Sequence, residues 1–316
     1  MDFSIVWHAV QSVLTLCIIG GTGYILSRMG WFTPESKALL PRLVLQVSLP
    51  CFMIYTMTNT LTRDQLFHLV YGSLVPFASI LMAFILSIGI AKIIKVERKR
   101  RGIFYAGFSA SNTMFIGLPV NLALFGEAAL PYVLLYYFAN CVFFWTVGNY
   151  FMARDGDGPK EKLCSITTLR RILSPPMVGF LSGILLLLLD VKLPPFLINT
   201  MRYMGNLTTP LILIFLGVML QGVRLRGIRL TRDLFFLLLG RFVVSPLIIV
   251  AITAFFPLPD LMRKVFIIQA ALPAVASISL LAGYYKTDPE FGTVAVSATT
   301  IISMITTPII MIIVSH

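Results

Sequence analysis

Apolar runs of about 20 residues, separated by short polar turns, occupy the chain almost end to end, and each is long enough to cross a hydrocarbon core about 30 Å thick. The expected spans lie at about 5–27, 36–58, 67–92, 103–125, 129–152, 174–190, 196–220, 234–256, 262–284 and 290–314. The turns between them carry breakers, such as Gly30-Trp31-Phe32-Thr33-Pro34 and Asp155-Gly156-Asp157-Gly158-Pro159. None of these connections is long enough to fold as a separate soluble domain. Charged residues make up 12% of the chain, about half the usual share of a soluble domain, so the bilayer is expected to be the solvent for nearly all of it. The first run has no Lys or Arg before Arg28 and is too long for a cleaved signal sequence, so it reads as the first membrane helix.

The net charge of +12 does not point to nucleic acid, because the basic residues sit in short loops without an aromatic-interleaved patch. Their role is topology and contact with anionic membrane lipids. Loops after odd-numbered helices hold 18 Lys and Arg, against five in the even-numbered loops. The positive-inside rule makes the odd loops cytoplasmic and puts both termini on the non-cytoplasmic side of a cell (plasma or inner) membrane. Cys17, Cys51, Cys141 and Cys164 show no metal spacing and imply no disulfide framework. His8, His68 and His316 form no ligand pair, and no nucleophile–base or metal constellation is visible, so neither an enzyme nor a cofactor is expected.

The two halves of the chain resemble each other. Ser48-Leu49-Pro50 in helix two and Thr208-Thr209-Pro210 in helix seven are 160 residues apart. Phe125-Gly126-Glu127 after helix four matches Lys286-Thr287-Asp288 after helix nine at a similar offset. Five helices per half makes the second copy enter from the opposite face, an inverted repeat of the kind common in secondary transporters. The repeats are placed at 1–153 and 174–316, joined by a cytoplasmic linker at 154–173.

Polar and breaker residues at mid-span need a reason, since lipid penalises an open backbone. Helix four has the densest cluster, with Ser109, Ser111, Asn112, Thr113, Gly117 and Pro119. Pro119 removes a donor and Gly117 permits an open backbone, so the helix is expected to break there. A half-helix end beside Asn112 would seat a carboxylate. Helix nine carries Gln269, Pro273 and Ser277, with Pro273 opposite Asn112 at an offset of 161. Two interrupted helices in matching places are the best sequence pointer to a transporter's binding site, although kinked packing helices would look similar. The expected substrate contacts are Asn112, Ser109, Thr113, Gln269 and Ser277, with Tyr136, Tyr137 and Asn140 of helix five as further lining. All 13 acidic residues map to loops or helix ends, which disfavours carboxylate-based proton or cation exchange and favours an anion or neutral solute. Arg42 and Arg241 lie about two turns from cytoplasmic ends and are expected to snorkel, with Arg241 also held as a charge partner for the substrate. Ser297, Thr299, Thr300, Ser303, Thr306 and Thr307 of helix ten are expected to bond neighbouring helices.

The pattern Asn112-Thr113-x-x-x-Gly117-x-Pro119 resembles the helix-four signature of the auxin efflux carrier family, which includes the plant PIN exporters and bacterial malonate or malate permeases. Pro50, Leu272-Pro273 and Pro308 fall where similar members carry prolines, and the resemblance covers the chain in order. It implies an all-α integral membrane fold like NhaA and the bile-acid transporters. There, two inverted five-helix repeats build a scaffold domain and a transport domain, with broken helices four and nine crossing in the latter. It also implies a homodimer, an elevator motion, and contact between Asn112 and a substrate carboxylate. The chain departs from PIN proteins at Ser111 and Ile278, where they carry proline, and in its linker of about 20 residues. These departures favour a dicarboxylate over auxin. A sodium- or proton-coupled carrier of another solute, with a sodium site of carbonyls and hydroxyls, stays open, as does a membrane receptor without net transport.

Overall fold

The computed structural model describes residues 3–62, 66, 69, 71–163, 165–222 and 229–315, and within them the chain is helical with no strand. Asp2, Arg63, Asp64, His68, Cys164, Arg224, Arg226 and His316 of the sequence reading lie outside the described residues. Six helical stretches are long and apolar enough to cross a membrane unaided: Glu35–Asn59, Leu74–Ile93, Thr113–Asp155, Pro195–Gln221, Arg232–Phe255 and Pro289–Val314. A seventh is made by Ile166–Ile172 with Pro175–Leu188, bent by 69°. These are fewer than the ten expected, and the expected first span contributes only the shorter apolar stretch Leu14–Arg28. The expected fourth and ninth spans are divided into arms, Arg98–Ser109 with Leu118–Phe125 and Asp260–Ala270 with Ser277–Tyr284. The longest of these has 12 residues, which at 1.5 Å per residue reaches only about 18 Å.

Local chemistry explains several boundaries. Thr33 and Thr231 precede the helices Pro34–Leu43 and Arg232–Leu239, and each hydroxyl accepts from the amide three residues on, Ser36 and Leu234. Four π turns interrupt the helices, at Val44–Ser48, Thr113–Gly117, Phe144–Gly148 and Gly240–Val244. Three of them stand immediately before Leu49-Pro50, Leu118-Pro119 and Ser245-Pro246. A proline cannot donate and its ring presses on the carbonyl four residues back, so a widened turn there relieves both problems.

The chain forms two compact units, each taking segments from both halves of the sequence. The first comprises Met1–Tyr71, Met114–Leu134 and Leu173–Arg224. Within it Phe3–Arg28 lies against Thr208–Gly222 at backbone contact, where a side chain at Gly217 would overlap the carbonyl oxygen of Gly20 and one at Gly23 that of Ile214. Such close approach replaces the hydrophobic effect as the glue between helices in lipid. Leu49–Thr60 packs on Pro175–Leu188 in the same way, through Gly179 against Pro50.

The second unit comprises Gly72–Thr113, Leu135–Ile172 and Leu225–His316. Its interior is aromatic: Phe84 meets Tyr105, Phe143 and Phe151 edge-on at centroid distances of 5.8, 5.4 and 5.1 Å. One end carries the unit's polar closure. The Arg100 guanidinium donates to Asp288 at 2.6 Å and lies 3.6 Å from Asp233, while Arg171 donates to Glu161 at 2.9 Å. The Gly158 amide donates to the Tyr285 carbonyl at 2.7 Å, which ties the loop after Asn149–Asp155 to the turn after Ser277–Tyr284.

Candidate functional site

Two helix breaks meet inside the second unit. Arg98–Ser109 ends at Ala110, whose extended backbone (φ −99°, ψ 132°) carries the chain out of the helix. Asp260–Ala270 ends at Ala271, and the chain runs without helix as far as Ala276. The two extended segments pair antiparallel at Ser111 and Ala274. The Asn112 amide donates to the Pro273 carbonyl at 2.8 Å, and the Val275 amide to the Ala110 carbonyl at 3.3 Å. An open backbone at this depth is tolerable only because each break supplies the other's missing partners.

Other helices finish that accounting. The Asn140 side chain receives the Ser111 amide at 2.9 Å and donates to the Ser111 carbonyl at 2.9 Å, saturating both backbone groups of one residue. The Thr299 hydroxyl accepts from the Ala274 amide at 3.3 Å. The Arg241 guanidinium donates to the Phe108 carbonyl at 3.2 Å and to the Ala270 carbonyl. Ser245 donates to the same Phe108 oxygen at 3.1 Å. Arg241 therefore does not snorkel: its side chain is 0% exposed, because the carbonyl ends of two arms solvate it better than the membrane surface would. Arg42 is exposed.

The other expected residues take the following positions. Asn112 and Thr113 are buried at the edge of the paired segment. Ser109 is buried and donates back to the Tyr105 carbonyl at 2.7 Å. Gln269 is fully buried in the last turn of its arm, and among the described residues neither amide atom has a hydrogen-bond partner. Ser277 is half-buried at the start of the following arm. Tyr136 is buried and its ring tilts against Phe266 at 5.8 Å, while Tyr137 is half-buried. Pro273 lies in the late break itself. The early break falls at Ala110–Asn112, several residues before Gly117 and Pro119. Gly117 ends a π turn with ordinary helical angles (φ −67°, ψ −42°), and Pro119 is the second residue of Leu118–Phe125, where the widened turn before it takes up the missing donor. Both belong to the first unit, in which Asn121 donates to the Gly117 carbonyl at 2.7 Å. Ser245 and Thr299 are the supporting residues that sequence reasoning did not single out for the site. Their only local signals are a serine before a proline and a threonine in a hydroxyl-rich helix.

The amides of the paired segments are taken up by Pro273, Ala110, Asn140 and Thr299, and a guanidinium matches the two helix C-termini, so the positive end turned to this region is the start of Ser277–Tyr284, a group chemically suited to an anion. A family model described as membrane transport protein matches residues 8–311. The chain belongs to that family. It is the auxin efflux carrier family. Among similar members of the membrane transport protein family is an uncharacterized transporter of Methanocaldococcus jannaschii, 23% identical over 300 residues that cover 93% of this chain and 94% of the relative. An uncharacterized transporter of Methanothermobacter thermautotrophicus is 24% identical over 309 residues, covering 95% and 97%. The chain is a multi-pass membrane transporter of this family.

Proposed function

We propose that the chain is a secondary carrier of small organic anions, with short dicarboxylates such as malonate or malate as the first candidates and auxin-like carboxylates as the second. The observation that carries this reading is the antiparallel pairing of two helix breaks through Asn112 and Pro273. It puts unwound backbone inside a buried unit, a feature tolerated in membranes only within protein or along a cavity, and paired interruptions in the two halves point to a binding site. Asn112 is the carboxylate contact, with Thr113, Ser277 and Gln269 around it. Asn140, whose amide is committed to Ser111, holds the site in shape. Gly117 and Pro119 shape the helix that follows the early break.

In this reading the chain crosses the membrane ten times, each broken pair of arms making one crossing and the helical stretch 130–155, set off from Leu118–Phe125 by the turn at Gly126, making the fifth. The repeats at 1–153 and 174–316 are inverted, both termini face away from the cytoplasm, and the protein is a homodimer of the cell membrane. The unit holding the breaks is the carrying body of an elevator-type alternating-access cycle. A thermal-stability screen of the purified protein against malonate, malate, longer dicarboxylates and indole-3-acetate tests the substrate class. Stabilisation by at least one carboxylate, lost in Asn112→Ala, is expected. Stabilisation by none of them, with a response to a neutral or cationic solute instead, would overturn it.

A further inference from the structure

A buried guanidinium in a membrane bundle must be compensated, and the usual means is a carboxylate. Arg241 is 0% exposed, and among the described residues no acidic side chain pairs with it. Its compensation comes from two backbone carbonyls, with the Tyr136 hydroxyl beside them. Phe108 lies in the last turn of Arg98–Ser109, and Ala270 is the last residue of Asp260–Ala270, so each bonded carbonyl belongs to the negative end of an arm. Each helix C-terminus carries roughly half a negative charge, so the two together come to about one, matched by one guanidinium. Local structure is arranged for this reach. Arg241 stands in the π turn Gly240–Val244, and a side chain at Gly240 would overlap the ring of Phe108, so only glycine lets the two helices close on the carbonyl.

We propose that Arg241 is a positioning residue, the built-in counter-cation of the paired breaks. It ties the carbonyl ends of two arms together and takes the place there that an inorganic cation would otherwise fill. The positive start of Ser277–Tyr284 is then left to face an anion, and the breaks keep their shape without sodium. The last consequence for anion binding rests on the carrier reading; the counter-cation role does not.

Hydrogen–deuterium exchange of the purified chain in nanodiscs tests it, read on peptides spanning 106–115 and 268–278 in sodium chloride and in choline chloride. Wild-type protection should be the same in both salts. Arg241→Met, close in length but uncharged, should exchange about tenfold faster or more in both peptides, as expected for losing a charge-assisted hydrogen bond. Arg241→Lys should recover most of the protection. Wild-type protection that requires sodium overturns the proposal even if no variant folds. A Met variant as protected as wild type, or Met and Lys variants equally impaired, overturns it as well. Malonate flux measured on the same preparations separates the two claims: a wild type that moves no carboxylate fails as a carrier while the exchange comparison still stands.

Discussion

Replacing Asn140 by leucine keeps the branched four-atom side-chain skeleton, with bulkier methyl ends, but removes both hydrogen bonds to Ser111, each 2.9 Å long. Ser111 is 0% exposed and Asn140 is 4% exposed, so water does not replace the lost partner. Interhelical hydrogen bonds in membrane bundles are worth about 0.6–1.7 kcal/mol, and a stranded buried backbone group costs about 1–3 kcal/mol. The Ser111 carbonyl still accepts from the Thr113 amide at 2.9 Å, so one stranded group, the Ser111 amide, puts the expected loss at about 1–3 kcal/mol, concentrated at the early break. Because heating of a membrane protein is commonly irreversible, the apparent melting temperature should be read at one fixed scan rate, together with exchange in a peptide spanning 108–114. Asn140→Leu should melt several degrees lower and lose protection there, while the peptide over 74–93 stays unchanged. Asn140→Asp keeps an acceptor for the Ser111 amide but turns a second oxygen toward the carbonyl, so it should recover only part of the loss. A leucine variant that melts with the wild type and keeps its local protection would refute the clamp.

Two further outcomes concern each unit on its own. Gly217→Val should strip the first unit of its closest helix contact, because the new side chain would overlap the Gly20 carbonyl, and a fall in detergent-extracted folded yield by size-exclusion chromatography would show it. Burial pushes the Asp288 carboxyl up, but the Phe291 amide and the Arg100 guanidinium outweigh that and hold it below its ordinary range. A carboxyl lowered in the folded state adds stability that is complete above its unfolded value and is lost as pH falls through the folded one. Melting should therefore hold steady from neutral pH to about 4 and drop below it, with a shallower acid limb in Asp288→Asn; an unchanged limb would speak against the ion pair as its source.

Local signals in the sequence carried the helical class and the late break, where Pro273 stands opposite Asn112. The residues that finish the site were hidden because their partners are far away along the chain. The early break was expected at Gly117 and Pro119, since proline and glycine are the strongest local punctuation. It lies at Ala110–Asn112, where the extended backbone is stabilised by Pro273 to Val275 and by Asn140, none of them near in sequence. The proline itself is the second residue of Leu118–Phe125, and the helix before it widens into a π turn instead of breaking. Arg241 misled for a related reason. Its distance from a helix end suggested the membrane surface, but two carbonyls from other helices hold it in the interior. Asn140 likewise read as a free amide facing a cavity, and only the paired breaks reveal what it bonds.

The central claim is that a small carboxylate is carried at the paired breaks, and the most direct test is uptake of radiolabelled malonate into proteoliposomes holding wild type or Asn112→Ala. The account predicts time-dependent, saturable uptake by the wild type that competes with unlabelled malate. It predicts at least a tenfold fall in Asn112→Ala, the order expected when a charge-assisted hydrogen bond to the substrate is removed, with the melting temperature preserved. Uptake by the variant equal to the wild type, for malonate and every competing carboxylate, would contradict it.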